Sequence, residues 1–168
     1  MPERVETRAP TRIDLAGGTI DLWPLYLLHD DPITVNAAID LFARARIETL
    51  PNHAIELVSA DRDRRAGFAS VAQLREALPT AGPELEFPMR LAAHFLEKDR
   101  TGRPAACRIV TDSAAPAGSG LGGSSTLGIA LAKALDVYTG GRTEPADLLS
   151  VTRSVVFVCG RTTAPRSP

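Results

Sequence analysis

The sequence predicts an α+β fold, on three observations. Residues 41–49 alternate strictly: Leu41, Ala43, Ala45 and Ile47 are apolar, while Phe42, Arg44, Arg46 and Glu48 between them are mostly charged. That is the pattern of a half-buried strand. Further on, Leu127, Leu131, Ala134, Leu135 and Tyr138 fall on one face of a helix, the spacing of an amphipathic segment. Strand-like and helix-like stretches are mixed without a regular βαβαβ alternation, which favours α+β over a doubly wound sheet.

Taken in order, residues 5–15 read as extended, interrupted by Pro10, and run into Gly17–Gly18. Residues 33–39, 41–49 and 54–59 read as strands, with the turn Pro51–Asn52 making neighbours of the last two. A polar stretch from Asp61 to Arg65 leads to two helices, near 70–78 and 85–98. The second turns Phe87, Leu91, Phe95 and Leu96 to a core, and Pro88 is expected within its first turn, where no N–H is needed. Residues 105–112 form another strand. The amphipathic helix then ends at Gly140–Gly141, and Thr143, Pro145 and Asp147 open a last helix through about Ser154. From Val155 the chain carries no acid and no clear periodicity, and it reads as an irregular tail.

The chain has 168 residues and a mass of 17.9 kDa, a length that suits one domain. Nineteen Lys and Arg stand against twenty Asp and Glu, a formal charge of −1, so no general electrostatic attraction to nucleic acid is expected. Two cysteines and three scattered histidines make neither a disulfide framework nor a metal-ligand spacing. No apolar run reaches the length of a membrane span, and the first residues lack the charged-then-apolar order of a signal peptide. A cytoplasmic protein without membrane or nucleic-acid partners is the expectation.

The chemistry concentrates in Pro116-Ala117-Gly118-Ser119-Gly120-Leu121-Gly122-Gly123-Ser124-Ser125-Thr126, directly before the amphipathic helix. Glycines let backbone N–H groups converge on an anion, and a helix start adds its unsatisfied donors and a partial positive charge. The Ser124–Ser125–Thr126 run can cap the helix, and a hydroxyl there can reach a Mg²⁺ carried by phosphates. The plain alternative is a glycine-rich turn with a serine cap. Gly118-x-Gly120-x-x-Gly123 matches the dinucleotide pattern, but no acidic residue follows on a second strand. A Walker loop needs Gly-Lys-Ser/Thr, absent here, and a protein-kinase loop precedes a strand rather than a helix.

This segment resembles the Pro-x-x-x-Gly-Leu-x-Ser-Ser motif of the GHMP kinases, with Gly123 as a departure before the serine pair. Residues 9–22, APTRIDLAGGTIDL, resemble the same family's N-terminal signature, in the form of its fucokinase and heptose-7-phosphate kinase branch. The resemblance covers about residues 5–154. It implies an N-terminal domain like the second domain of ribosomal protein S5, ATP with Mg²⁺ as donor, and a small hydroxylated acceptor, a sugar or sugar phosphate. By the same likeness Pro116, Gly118, Ser119, Gly120, Leu121, Gly122, Gly123, Ser124 and Ser125 hold the nucleotide, and Ser124 faces the metal. Gly17, Gly18, Thr19 and Asp21 hold the acceptor, and Arg12 lies near the transferred phosphate. The plain alternatives are a helix cap for Asp21 and a surface pair with Asp14 for Arg12.

Relatives of the galactokinase type place a catalytic aspartate in a loop that falls near residue 160 here. Cys159-Gly160-Arg161-Thr162-Thr163 has no carboxylate. The expectation is therefore an ATP-binding domain over 1–154, an out-of-frame tail over 155–168, no C-terminal domain, and little activity. A nucleotide-binding module completed by a separate half, or a structural fragment, are the other readings.

Overall fold

In a computed structural model, residues 3–18, 25–28, 33–51, 54–102, 105–116 and 118–162 are described. Five strands form one sheet: β1 (Arg4–Ala16), β2 (Val35–Thr49), β3 (Ile55–Ser59), β4 (Arg64–Phe68) and β5 (Cys107–Ser113), in the order β1-β2-β5-β3-β4. Four helices accompany it: α1 (Val71–Ala77), α2 (Pro83–Leu96), α3 (Gly123–Tyr138) and α4 (Pro145–Thr162). Short 3-10 turns occupy Leu25–Leu28 and Leu78–Thr80. The expected α+β class is found.

The alternation read in 41–49 sets the layer arrangement. Ala43, Ala45 and Ile47 are fully buried, as are Ile55, Cys107 and Ile109 on the neighbouring strands. All of these but Ala43 join Leu131, Ala134 and Leu135 of α3 and Leu91, Phe95 and Leu96 of α2 in one core. Burying a side chain of this size stabilises by about 1.5–3 kcal/mol. The opposite face carries ion pairs across strands, Arg108–Glu56 at 2.8 Å and Arg44–Asp112 at 3.6 Å.

Several expectations are corrected. Residues 33–39 and 41–49 are not separate strands but one, β2. β2 and β3 are not neighbours: β5 lies between them, antiparallel to β2 and parallel to β3. The 50–54 connection straddles the start of β5, with Leu50 N–H on Ala106 O and Cys107 N–H on Ala54 O, both near 3 Å. The polar stretch read from Asp61 to Arg65 gives way at Arg64 to an edge strand, Arg64–Phe68, paired with β3. Pro10 does not interrupt β1, because β1 is also an edge strand and its register shifts between Pro10 and Arg12. α2 begins at Pro83, so Pro88 sits past its first turn and removes the bond its N–H would make to the Glu84 carbonyl.

The last helix does not stop at Ser154. It runs to Thr162, so residues 155–162 are helical rather than irregular, and residues 163–168 lie outside the described residues. Leu148 and Thr152 are buried, and Val155 packs against the core one turn on. That stripe holds the valine-rich stretch in a helix that its β-branched residues alone disfavour.

The α3–α4 connection hangs on Asp136, which is 1% exposed. Its carboxylate accepts from Thr143 N–H at 3.2 Å, from Thr143 Oγ1 at 2.6 Å, and from Lys133 Nζ at 3.4 Å. Gly140, at φ +73°, ends α3, with Gly140 N–H on Val137 O and Gly141 N–H on Asp136 O. Asp136→Ala strands two donors of Thr143 in a part-buried site. It is expected to lower stability by about 2–3 kcal/mol in urea denaturation, with helix content retained at low denaturant.

Candidate functional site

β5 delivers the chain straight into the glycine loop. Ala114 N–H extends the β5–β2 ladder to Phe42 O at 3.1 Å, and Ala115 is buried before the chain turns at Pro116. Gly118, Gly120 and Gly122 all have φ near +70°, and a Cβ added at any of them would meet nothing within 4 Å. The glycines are therefore demanded by backbone conformation, and they leave the loop's inner side open.

Helix α3 is capped by Gly122 in the left-handed conformation, with no side-chain cap bond. This corrects the serine-cap reading: Ser124 and Ser125 lie in the first turn and are exposed. Thr126 N–H to Gly122 O, 2.9 Å, is the first helical bond. The N–H groups of Gly123, Ser124 and Ser125 precede it and have no acceptor within the helix. Donors and helix dipole together make this end a place for an anion.

The loop forms one wall of a cleft of about 420 Å³. Pro116, Gly118 to Ser125 and Leu127 line it on one side. A second group of lining residues is Ser59 at the end of β3, Asp61 and Arg62 of the turn that follows, and Glu84, Phe87 and Pro88 of α2. Asp61 accepts from Ser59 Oγ at 3.0 Å and from Arg62 Nε at 3.2 Å. The sequence reading missed this second group: the polar 61–65 stretch was its only visible trace. It also missed Ser113, whose Oγ is buried without a hydrogen-bond partner on the cleft wall.

The described residues fit a phosphate group: open glycines, unpaired first-turn donors and exposed hydroxyls surround one space. Ser124 and Ser125 would be the metal donors at the helix start, with Asp61 and Glu84 in the same cleft lining, and among the described residues no three His, Cys, Asp or Glu side chains cluster as a metal site. A Mg²⁺ would thus come mostly phosphate-coordinated and hydrated.

Residues 9–18, the described part of the N-terminal signature, are not among the residues that line this cleft. Arg12 is exposed on β1 and pairs with Asp14 at 3.1 Å; among the described residues that line the cleft, Arg12 is not one. Gly17, at φ +73°, packs where a Cβ would strike the Ile33 carbonyl, and its own carbonyl accepts from Thr34 Oγ1 at 3.1 Å. A Cβ on Gly18 would come 2.8 Å from the Asp14 carboxylate. Both glycines are needed to close the β1–β2 ribbon. Thr19 and Asp21 lie outside the described residues. Among the described residues no helix is long and apolar enough to cross a membrane.

Residues 86–164 match the family described as GHMP kinases N terminal domain. The chain is 32% identical over 130 residues to the D-glycero-alpha-D-manno-heptose 7-phosphate kinase of Campylobacter jejuni, covering 77% of this chain and 36% of that protein. A D-glycero-D-manno-heptose 1-phosphate kinase structure from Bacteriodes thetaiotaomicron is 26% identical with TM-score 0.71, covering 89% of this chain and 47% of that one. A mevalonate kinase structure shares the fold at TM-score 0.73 and 16% identity, covering 92% and 48%. The chain thus spans about a third to a half of these relatives' length. The resemblance to the GHMP kinases is borne out: the family match spans residues 86–164, which contain the glycine loop, and the relatives include two heptose-phosphate kinases.

The ribbon geometry makes its own forecast. Gly18→Ala is expected to lower the melting temperature in the wild-type background and to do so less in an Asp14→Ala background, because the carboxylate it strikes is then gone. Equal losses in both backgrounds would contradict the packing of Asp14 on Gly18.

Proposed function

We propose that this GHMP kinase N-terminal domain is the nucleotide-binding part of an ATP- and Mg²⁺-dependent kinase for a sugar or sugar phosphate. The observation that carries the reading is the junction of β5, glycine loop and α3: three first-turn N–H groups without helical acceptors face a cleft lined by the loop itself. The heptose-phosphate substrates named for two relatives give the acceptor class. The nucleotide-binding unit extends through α4 rather than ending at residue 154, in keeping with the family match to residue 164. Cys107 and Cys159 are not in a disulfide, in keeping with a reducing cytoplasm.

In this reading Gly118 to Ser125 and the start of α3 bind the donor's phosphates, and the Ser124 hydroxyl would hold a Mg²⁺ that would neutralise their charge. Pro116 and Leu121 shape the loop. The acceptor hydroxyl attacks the terminal phosphorus, an O–P bond forms as the bond to the leaving diphosphate breaks, and the hydroxyl proton passes to a base. Gly17, Gly18, Thr19 and Asp21 orient the acceptor, Asp21 by accepting from its hydroxyls. Arg12 offsets charge on the transferred group after exchanging Asp14 for it. That exposed pair is worth at most about 1 kcal/mol, so the exchange is cheap.

A second reading shares the same site: a module that binds nucleotide but turns over only when completed by residues of the kind its relatives carry beyond the matched part. It is favoured by the chain's coverage of 36% to 48% of those relatives.

Two measurements test these statements. Calorimetry of the purified chain is expected to show binding of Mg·ATP that Gly120→Val abolishes and Ser124→Ala weakens about tenfold or more. Unchanged binding in both variants would remove the loop assignment. In a coupled assay, the 168-residue chain alone is expected to phosphorylate heptose phosphates, heptoses and fucose at no more than background rates; sustained turnover would show that it needs no completing half.

A further inference from the structure

We propose that the free edge of β1 is self-complementary and docks a second copy of this chain, the two β1 strands pairing antiparallel about a two-fold axis at Ala9. β1 is the outermost strand on its side of the sheet and runs for 13 residues. Thr49 N–H bonds Glu3 O, and Phe42 O, in the residue opposite Pro10, is taken by Ala114 N–H beyond β5. Backbone direction alternates along a strand. The odd residues of β1 therefore bond β2, and the even ones, Pro10 included, turn their backbone groups to the free edge. A long edge of this kind is a template for another strand. Pro10 removes one N–H from it and takes nothing from the β1–β2 ladder.

The side chains select the occupant. With Ala9 opposite Ala9, β1 sets Arg4 opposite Asp14 of the second copy, Glu6 opposite Arg12, Val5 opposite Ile13 and Thr7 opposite Thr11. Two-fold symmetry makes each contact twice. Within one strand Arg4 already pairs with Glu6 at 2.9 Å and Arg12 with Asp14 at 3.1 Å. The pairing closes these four side chains into a square of alternating charge, and Arg12 keeps a carboxylate partner in both states. Unlike charges directly opposed stabilise a sheet, and like charges destabilise it. Sliding by two residues one way sets Arg4 against Arg12 and Arg8 against Arg8; the other way sets Glu6 against Asp14 and Arg8 against Arg12. A slip of one residue sets outward backbone groups against inward ones. The neighbouring registers are thus excluded.

The helix-facing side of β1 agrees with this register. Val5 and Thr11 are buried there, whereas Ile13 and Leu15, further along the same strand, are exposed, Leu15 at 63%. α3 packs over β1 and β2, and Thr7 Oγ1 donates to Ala130 O of that helix at 2.7 Å. The pairing sets Ile13 beside Val5 of the second copy, and so at the side of the second copy's α3. The apolar end that one chain leaves bare is brought to the helix layer of the other.

Sedimentation velocity of the 168-residue chain over a concentration series, at low and high salt, tests this. The wild type is expected to form dimers that weaken as salt rises. Glu6→Arg and Arg12→Glu each oppose like charges at two places, and each is expected to weaken the dimer about tenfold or more. Both side chains are exposed on the free strand, so circular dichroism is expected to show both variants folded. Mixed in equal amounts, the two variants oppose unlike charges at both places and are expected to pair with each other, although neither pairs well with itself. The Glu6→Arg/Arg12→Glu double variant is expected to recover self-pairing in the same way. A wild-type chain that stays monomeric at sub-millimolar concentration would overturn the proposal. So would a dimer indifferent to both single variants, or single variants that fail to rescue one another on mixing.

Discussion

An α-helix cannot satisfy the N–H groups of its own first turn, and this structure depends on where α3 leaves those groups. The helix is fixed along its length by an apolar stripe: Ala130, Leu131, Ala134, Leu135 and Tyr138 are all buried against the sheet and α2. A helix held so firmly cannot fray to hide its end. Its donors are presented in a set position, and the glycine loop is the only chain between them and the last residue of β5. The insertion of β5 between β2 and β3 is what brings that end to the β3–β4 turn and to α2, which complete the cleft.

Gly122, Gly123 and the two serines divide the labour at this end. Gly122 takes the left-handed conformation that turns loop into helix. The serines, freed from capping, keep exposed hydroxyls beside the unpaired donors. A serine that capped the helix would have spent its oxygen on the very N–H groups an anion needs. The N-terminal signature works differently: Gly17 and Gly18 secure the β1–β2 ribbon, and Asp14 holds Arg12 in an exposed, easily exchanged pair.

What the sequence made legible was local. The alternation of 41–49 and the stripe of α3 each need only one element to be read, and the glycine loop is a contiguous run. Pairing was not legible, because nothing in 41–49 or 54–59 states that β5, some fifty residues on, separates them. Arg64–Phe68 hid as an edge strand since its two arginines and glycine break the alternation. In α4 the stripe Leu148, Thr152, Val155 and Cys159 has helical spacing, but a run of β-branched residues masks it until packing is known. Ser113 is invisible in principle, because an unpaired hydroxyl is a property of geometry and not of residue type.

Amide hydrogen exchange with and without Mg·ATP addresses the central claim, that the α3 start is the phosphate site, at the groups concerned. Slowed exchange confined chiefly to the amides of Gly120 to Ser125, with β4 and the exposed face of the sheet unchanged, is the result this account predicts. Protection elsewhere, with those amides exchanging as fast as in the free protein, would contradict it.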